Sequence, residues 1–201
     1  MRRLPRPSAL GRLLRLSLLP SPLADAAAGI VFAAGAWPAG AGPWLLLAGA
    51  AASYHGGMAL NDWVDRGRDS SSAPRRPLPA GEVDPRLALG LALALLAAGP
   101  LLASAAHPVA GAIAALVAGA ALAYDLAGRG AWRGPGLLAA CRAGNLGTGL
   151  ALGAIHAVGG APAPRALLVL FPPALLYSLY VFLVARLGRL EDAEDPRPLG
   201  R

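Results

Sequence analysis

Residues 61–82 read NDWVDRGRDSSSAPRRPLPAGE, and this stretch decides how the rest of the chain is understood. Three aspartates and four arginines stand here directly after a long apolar run. The chain around them is 56% hydrophobic and only 14% charged, whereas an average globular chain is about 45–50% apolar and about 25% charged. That bias points to a bilayer as solvent. Apolar stretches close to the ~20 residues of a crossing helix cover 16–36, 43–60, 87–104, 108–123, 135–155 and 166–185. A soluble helical bundle would need charged outer faces on these segments, and they have almost none. The fold expected is an all-α, multi-pass transmembrane helical bundle of six spans, a single domain over 1–201.

The net charge of +7 comes entirely from arginine, since the sequence holds no lysine. A basic chain can bind nucleic acid, but here the placement argues otherwise. Arginines gather within 2–15, 66–86, 129–133 and 186–201, while the alternate loops carry only Arg165. This is the positive-inside pattern, with an even number of spans and both termini in the cytoplasm. Residues 1–15 then form a cytoplasmic basic arm and 196–201 a disordered tail. The apolar run from Leu16 outlasts a signal-peptide core, so it is taken as the first helix. Aromatic residues are few and glycine is abundant, as close helix packing in lipid favours. The lone Cys141 excludes an intramolecular disulfide. No dinucleotide-binding glycine loop, cysteine-rich zinc site or serine-hydrolase elbow is present.

Within the opening stretch, Asn61, Asp62, Asp65 and Asp69 follow the spacing N-D-x-x-D-x-x-x-D. Offsets of three and four residues share one helical face, so the three carboxylates converge. Converging carboxylates repel one another unless a cation joins them. Mg²⁺ suits the cluster, because it takes oxygen ligands and typically pairs one or two carboxylates with substrate phosphates. Ser70, Ser71, Ser72, Ala73 and Pro74 read as a flexible connector, after which Arg75 and Arg76 precede a Pro-Leu-Pro-Ala-Gly turn. The arginine fork suits phosphate oxygens. Carboxylates for Mg²⁺ beside arginines for phosphate describe a diphosphate site at a membrane surface. The Asp-Gly…Ala-Arg spacing of CDP-alcohol phosphotransferases is absent.

N-D-x-x-D-x-x-x-D followed by R-P-L-P-x-G strongly resembles the UbiA-type intramembrane prenyltransferases. "AYDLAGRG", "CRAGNLGTG" and "LYVFLVARLGRLED" resemble the small branch of that family found in ebo-type operons of bacteria. The resemblance implies a membrane prenyltransferase that moves a prenyl group from an allylic prenyl diphosphate to a small aromatic or phosphorylated acceptor. It implies Mg²⁺ on Asp62, Asp65 and Asp69, with Asn61, Arg75 and Arg76 binding the diphosphate. It also implies a role for Tyr124, although the lysine the family carries four residues later is Gly128 here, with Arg129 next in line to substitute. The family's second acidic motif corresponds to "RLEDAEDPR", where Asp192 and Asp195 would hold a second metal. Family members commonly have about nine helices, and this chain is shorter. A non-catalytic relative that binds or moves a lipid diphosphate is the alternative reading. Partners expected are the prenyl diphosphate, a small-molecule acceptor and membrane lipids, with self-association left open and no nucleic acid.

Arg142 and Asn145, one turn apart in the fifth span, are expected to line the substrate cavity, because a buried arginine in lipid faces a cavity or a partner. Asp25 is either a further cavity residue or the partner of Arg142. His55 either reaches the diphosphate site or sits neutral between helices.

Overall fold

The computed structural model describes residues 5–127, 130–159 and 164–194, with side chains for 5–127, 130–159 and 171–190. The elements are α1 (Pro7–Leu13), a 3-10 turn (Leu16–Leu18), α2 (Pro20–Ala34), α3 (Gly42–Ser72), α4 (Pro85–Ala106), α5 (Pro108–Ala127), α6 (Arg133–Val158) and α7 (Pro164–Glu194). The protein is all-helical, with no strand among the described residues. Proline opens α1, α2, α4 and α5, where its missing N–H has no helical partner to lose and its fixed φ suits the first turn. Asp84 caps α4 by accepting from the Arg86 N–H at 2.8 Å. Gly35 ends α2 and Gly159 ends α6 in the left-handed conformation.

Small residues set the helix crossings. A Cβ on Gly149 or Gly153 of α6 would overlap the Ala26 or Ile30 carbonyl of α2, so only glycine permits that approach. Between α3 and α4, a Cβ on Gly49 would stand 2.7 Å from the Gly99 carbonyl oxygen. One core cluster joins Ile30, Leu46, Ala103, Ala110 and Leu152. The other joins Ala9 and Leu13 of α1 to Leu60, Leu78, Val83 and Ala88. α7 packs on α6, and its leucines point outward, more than half exposed at Leu176, Leu179 and Leu187. Arg186 and Arg189 anchor its far end on the carbonyls of Ala131 and Gly130.

Each of the six apolar stretches contains a helix, but the boundaries differ from the sequence expectation. The basic arm is not free: α1 folds back, and Leu13 is fully buried against α3 and the loop after it. α3 continues through the acidic motif to Ser72, so the three serines end a helix instead of linking two. Their hydroxyls bond back to the carbonyls of Gly67 and Arg68, which holds the last turn. α5 runs to Ala127 and therefore includes Asp125. Among the described residues, four helices are long and apolar enough to cross a bilayer: Leu16–Ala34, Pro85–Ala106, Pro108–Ala127 and Phe171–Leu190. α3 and α6 fall outside that set because they carry the polar side chains described next.

Candidate active site

The acidic stripe of α3 lies on a buried face, as its spacing requires. Asp62, Asp65 and Asp69 are each more than nine-tenths buried. Burial at a helix end next to apolar neighbours would be costly for three charges, and arginines offset it. Arg76 reaches back from the turn after α3 to donate to Asp69 Oδ2 at 2.6 Å and to Asp62 Oδ1 at 3.4 Å. Arg15 donates to the same Asp62 Oδ1 at 2.7 Å. Arg68 pairs with Asp65 at 2.7 Å, one turn along α3. The two halves of 61–82 are thus in direct contact.

Arg15 comes from the segment between α1 and the 3-10 turn, and its backbone is left-handed, at φ 51° and ψ 47°. That conformation costs a non-glycine residue roughly 1–2 kcal/mol, and it aims the side chain at Asp62. Arg12 adds an ion pair to Glu82, clamping α1 over the turn after α3. Arg12, Arg15, Arg75 and Arg76 surround an open cavity of about 910 Å³ with Asp62 at its wall. This cavity has the charge and the room for a phosphorylated ligand.

A second, smaller cavity of about 80 Å³ lies among α2, α3, α5 and α6, lined by Asp25, Tyr54, Tyr124, Asp125, Arg142 and Asn145. Asn61 links it to the stripe by donating to Asp125 Oδ1 at 3.2 Å. At its other side, Arg142 donates to Asp25 Oδ1 at 3.0 Å and to the Tyr177 hydroxyl at 2.8 Å, and also bonds Ser21. Tyr177 in turn donates to Asp25 Oδ1 at 2.7 Å. Asn145 donates to the Pro22 carbonyl at 2.9 Å. Asp25 is therefore both the partner of Arg142 and a cavity residue. His55 Nδ1 meets the Leu14 carbonyl at 2.7 Å, so the ring is held between α3 and the segment after α1.

Of the residues singled out from the sequence, Asn61, Asp62, Asp65, Asp69 and Arg76 form one charged patch. Arg75 lines the outer cavity, while Tyr124, Arg142 and Asn145 line the inner one. Arg129 and Asp195 lie outside the described residues, and Asp192 outside those whose side chains are described. Arg15, Asp125, Ser21 and Tyr177 were not anticipated. An acid two residues beyond an apolar run was the available signal for Asp125.

Among the described residues no three His, Cys, Asp or Glu side chains gather closely enough to hold a metal alone. The donors on α3 are nonetheless all carboxylate oxygens, and one or two such oxygens suffice for Mg²⁺ when substrate phosphates complete its shell. The residues fit Mg²⁺ in that shared mode.

The UbiA prenyltransferase family model matches residues 23–198. A digeranylgeranylglyceryl phosphate synthase of Ignicoccus hospitalis is 52% identical over 69 residues, which are 34% of this chain and 23% of that protein. The enzyme of the same name from Methanothrix thermoacetophila is 48% identical over 48 residues, 24% of this chain and 18% of that protein. These matches span about a fifth of the relatives' own length. A solved structure of a digeranylgeranylglyceryl phosphate synthase superposes with a TM-score of 0.77 at 18% identity, covering 93% of this chain and 63% of that one. A UbiA homologue from Archaeoglobus fulgidus, bound to GPP and Mg²⁺, gives 0.64 at 19% identity over 88% of this chain and 78% of that one.

Proposed function

The chain belongs to the UbiA prenyltransferase family, and from that premise we propose that it transfers a prenyl group from an allylic prenyl diphosphate to a small acceptor. It is an integral membrane protein with apolar crossing helices. The arginine distribution supports six spans, both termini inside and a site facing the cytoplasm, and the resemblance to proteins of bacterial ebo-type operons supports a bacterial plasma membrane. The observation that carries the reading is the closure of Arg76 onto Asp62 and Asp69. It joins phosphate donors and metal-type acceptors in one patch.

Asp62, Asp65 and Asp69 would hold Mg²⁺, which when bound neutralises charge on the departing diphosphate. Arg76, Arg75 and Arg15 clamp phosphate oxygens. Arg15 lies on Asp62, and Arg76 on Asp62 and Asp69. An incoming diphosphate competes for the same N–H groups and releases carboxylate oxygens as it binds. Asn61 orients the diphosphate from the inner side. The allylic C–O bond breaks with its electron pair leaving on the diphosphate, and the acceptor's nucleophile captures the carbocation and loses its proton. By family resemblance alone, Arg129 would assist at the phosphate, and Asp192 and Asp195 would hold a second metal. The relatives named digeranylgeranylglyceryl phosphate synthase favour a phosphorylated acceptor over an aromatic one.

The test is diphosphate release from geranyl diphosphate by the purified chain in detergent, with glyceryl phosphate ethers and 4-hydroxybenzoate as acceptors. Release should require Mg²⁺ and disappear in Asp62→Asn and Asp65→Asn. Full activity in both variants would overturn the assignment. Tight Mg²⁺-dependent donor binding with no product across the panel would favour a non-catalytic relative, a reading motivated by a chain that covers only part of its relatives.

A further inference from the structure

We infer that the inner cavity seats the acceptor's nucleophilic end, and that this end is a neutral head bearing two hydroxyl groups, one donated to Asp125 and one to Asp25. The inference rests on the prenyl-transfer reading above and adds the chemistry of the acceptor.

Asp25 and Asp125 line the same cavity and are each only 7% exposed. In both, one carboxyl oxygen is satisfied and the other is not. Asp25 Oδ1 accepts from Arg142 and Tyr177, and Asp125 Oδ1 accepts from Asn61. Asp25 Oδ2 and Asp125 Oδ2 are buried without a hydrogen-bond partner among the described residues. When ionised, a carboxylate oxygen only accepts, so the group that completes each one is a donor. Buried polar atoms are paired in nearly all folded proteins, and two orphans on one cavity wall mark a place for a ligand.

Charge selects among donors. The charges of Asp65 and Asp62 act on Asp125 and outweigh that of Arg15, so that end of the cavity disfavours a carboxylate or phosphate. Asp25 is already neutralised by Arg142, so that end gains nothing from an ammonium group and would set it beside the guanidinium. Neutral hydroxyls suit both ends. The cavity's volume of about 80 Å³ is far below the roughly 300–1,000 Å³ of a whole small-molecule pocket. It therefore takes a short head of a few heavy atoms, and any phosphate or chain on the acceptor lies outside it. Asn61 ties Asp125 to the residue preceding Asp62, which places a hydroxyl on Asp125 next to the leaving diphosphate.

The test uses the full chain in detergent with geranyl diphosphate and Mg²⁺ present. The probes are octylglycerol, with two free hydroxyls, its dimethyl ether, and 4-hydroxybenzoate. Affinity is read by calorimetry or saturation-transfer NMR. Octylglycerol should bind about tenfold or more tighter than the ether, since each hydroxyl-to-carboxylate bond is charge-assisted. Asp125→Ala and Asp25→Asn should each remove about half of that preference on a logarithmic scale, while Asp25→Asn still binds geranyl diphosphate. If Asp25→Asn fails to fold, shown by its melting profile, Asp125→Ala carries the comparison. Equal binding of the ether, or tightest binding of 4-hydroxybenzoate, overturns the inference and leaves donor binding standing. Failure of the wild-type chain to bind geranyl diphosphate at all would overturn both readings together.

Discussion

Replacing Arg142 by leucine removes the cation paired with Asp25 among the described residues, and the structure allows the cost to be worked out. The guanidinium holds Asp25 at 3.0 Å, Tyr177 at 2.8 Å and Ser21, with side-chain exposures of 21% for Arg142 and 8% for Asp25. Hydrogen bonds between membrane helices are worth about 0.6 kcal/mol each on average, so the Tyr177 and Ser21 contacts together account for about 1 kcal/mol. Breaking a buried ion pair by deleting one partner costs about 3–5 kcal/mol, because the other charge is left in a poor solvent. The charge therefore dominates. Arg142→Leu should lose about 3–5 kcal/mol in an SDS unfolding titration followed by circular dichroism. Tyr177→Phe should lose about 1 kcal/mol. Asp25→Leu combined with Arg142→Leu should recover most of the loss, since neither charge remains. If Arg142→Leu stays within about 1 kcal/mol of wild type, or the double variant is no better than the single, the pair is not the buried link that joins α2, α6 and α7.

Three further outcomes follow from named contacts. Gly149→Ala drives a Cβ into the Ala26 carbonyl, and the forced separation of α2 and α6 should cost about 1–3 kcal/mol, seen as a lower melting temperature. Leu13→Ala empties a fully buried position where α1 docks; a loss of about 2–5 kcal/mol at that contact should speed trypsin cleavage at Arg12 and Arg15. Arg76→Lys keeps the charge but not the fork that spans Asp62 and Asp69. Affinity for geranyl diphosphate should drop about tenfold, with folding unchanged.

The sequence carried the acidic stripe because its information is local. Four identities at helical spacing put Asp62, Asp65 and Asp69 on one face whatever surrounds them. Arg76 was legible for the same reason, since a short proline-bounded turn returns it to the helix it has just left. Arg15 was not legible: it lies 47 residues before Asp62 and meets it only because α1 folds back. Asp125 was missed because hydropathy ends the apolar run at Ala123, whereas hydrogen bonding carries α5 to Ala127. The serines were misread in a related way, since their composition suggests a linker while their hydroxyls cap the carbonyls of α3. Hydropathy also leaves α3 and α6 out of the candidate spans. Asn61, Asp62, Arg142 and Asn145 lower their apolar averages, and of these Asp62 lines the outer cavity while Arg142 and Asn145 line the inner one.

The central claim is that the aspartates of α3 and the arginines around them form one diphosphate site completed by Mg²⁺. Calorimetric titration of the purified chain with geranyl diphosphate, in Mg²⁺ and in EDTA, tests it most directly. Binding should require the metal and weaken about tenfold or more in both Asp62→Asn and Arg76→Ala. Mg²⁺ alone should produce little heat, because the arginines already lie on the carboxylates. Equal affinity in EDTA, or undiminished binding by both variants, would contradict it.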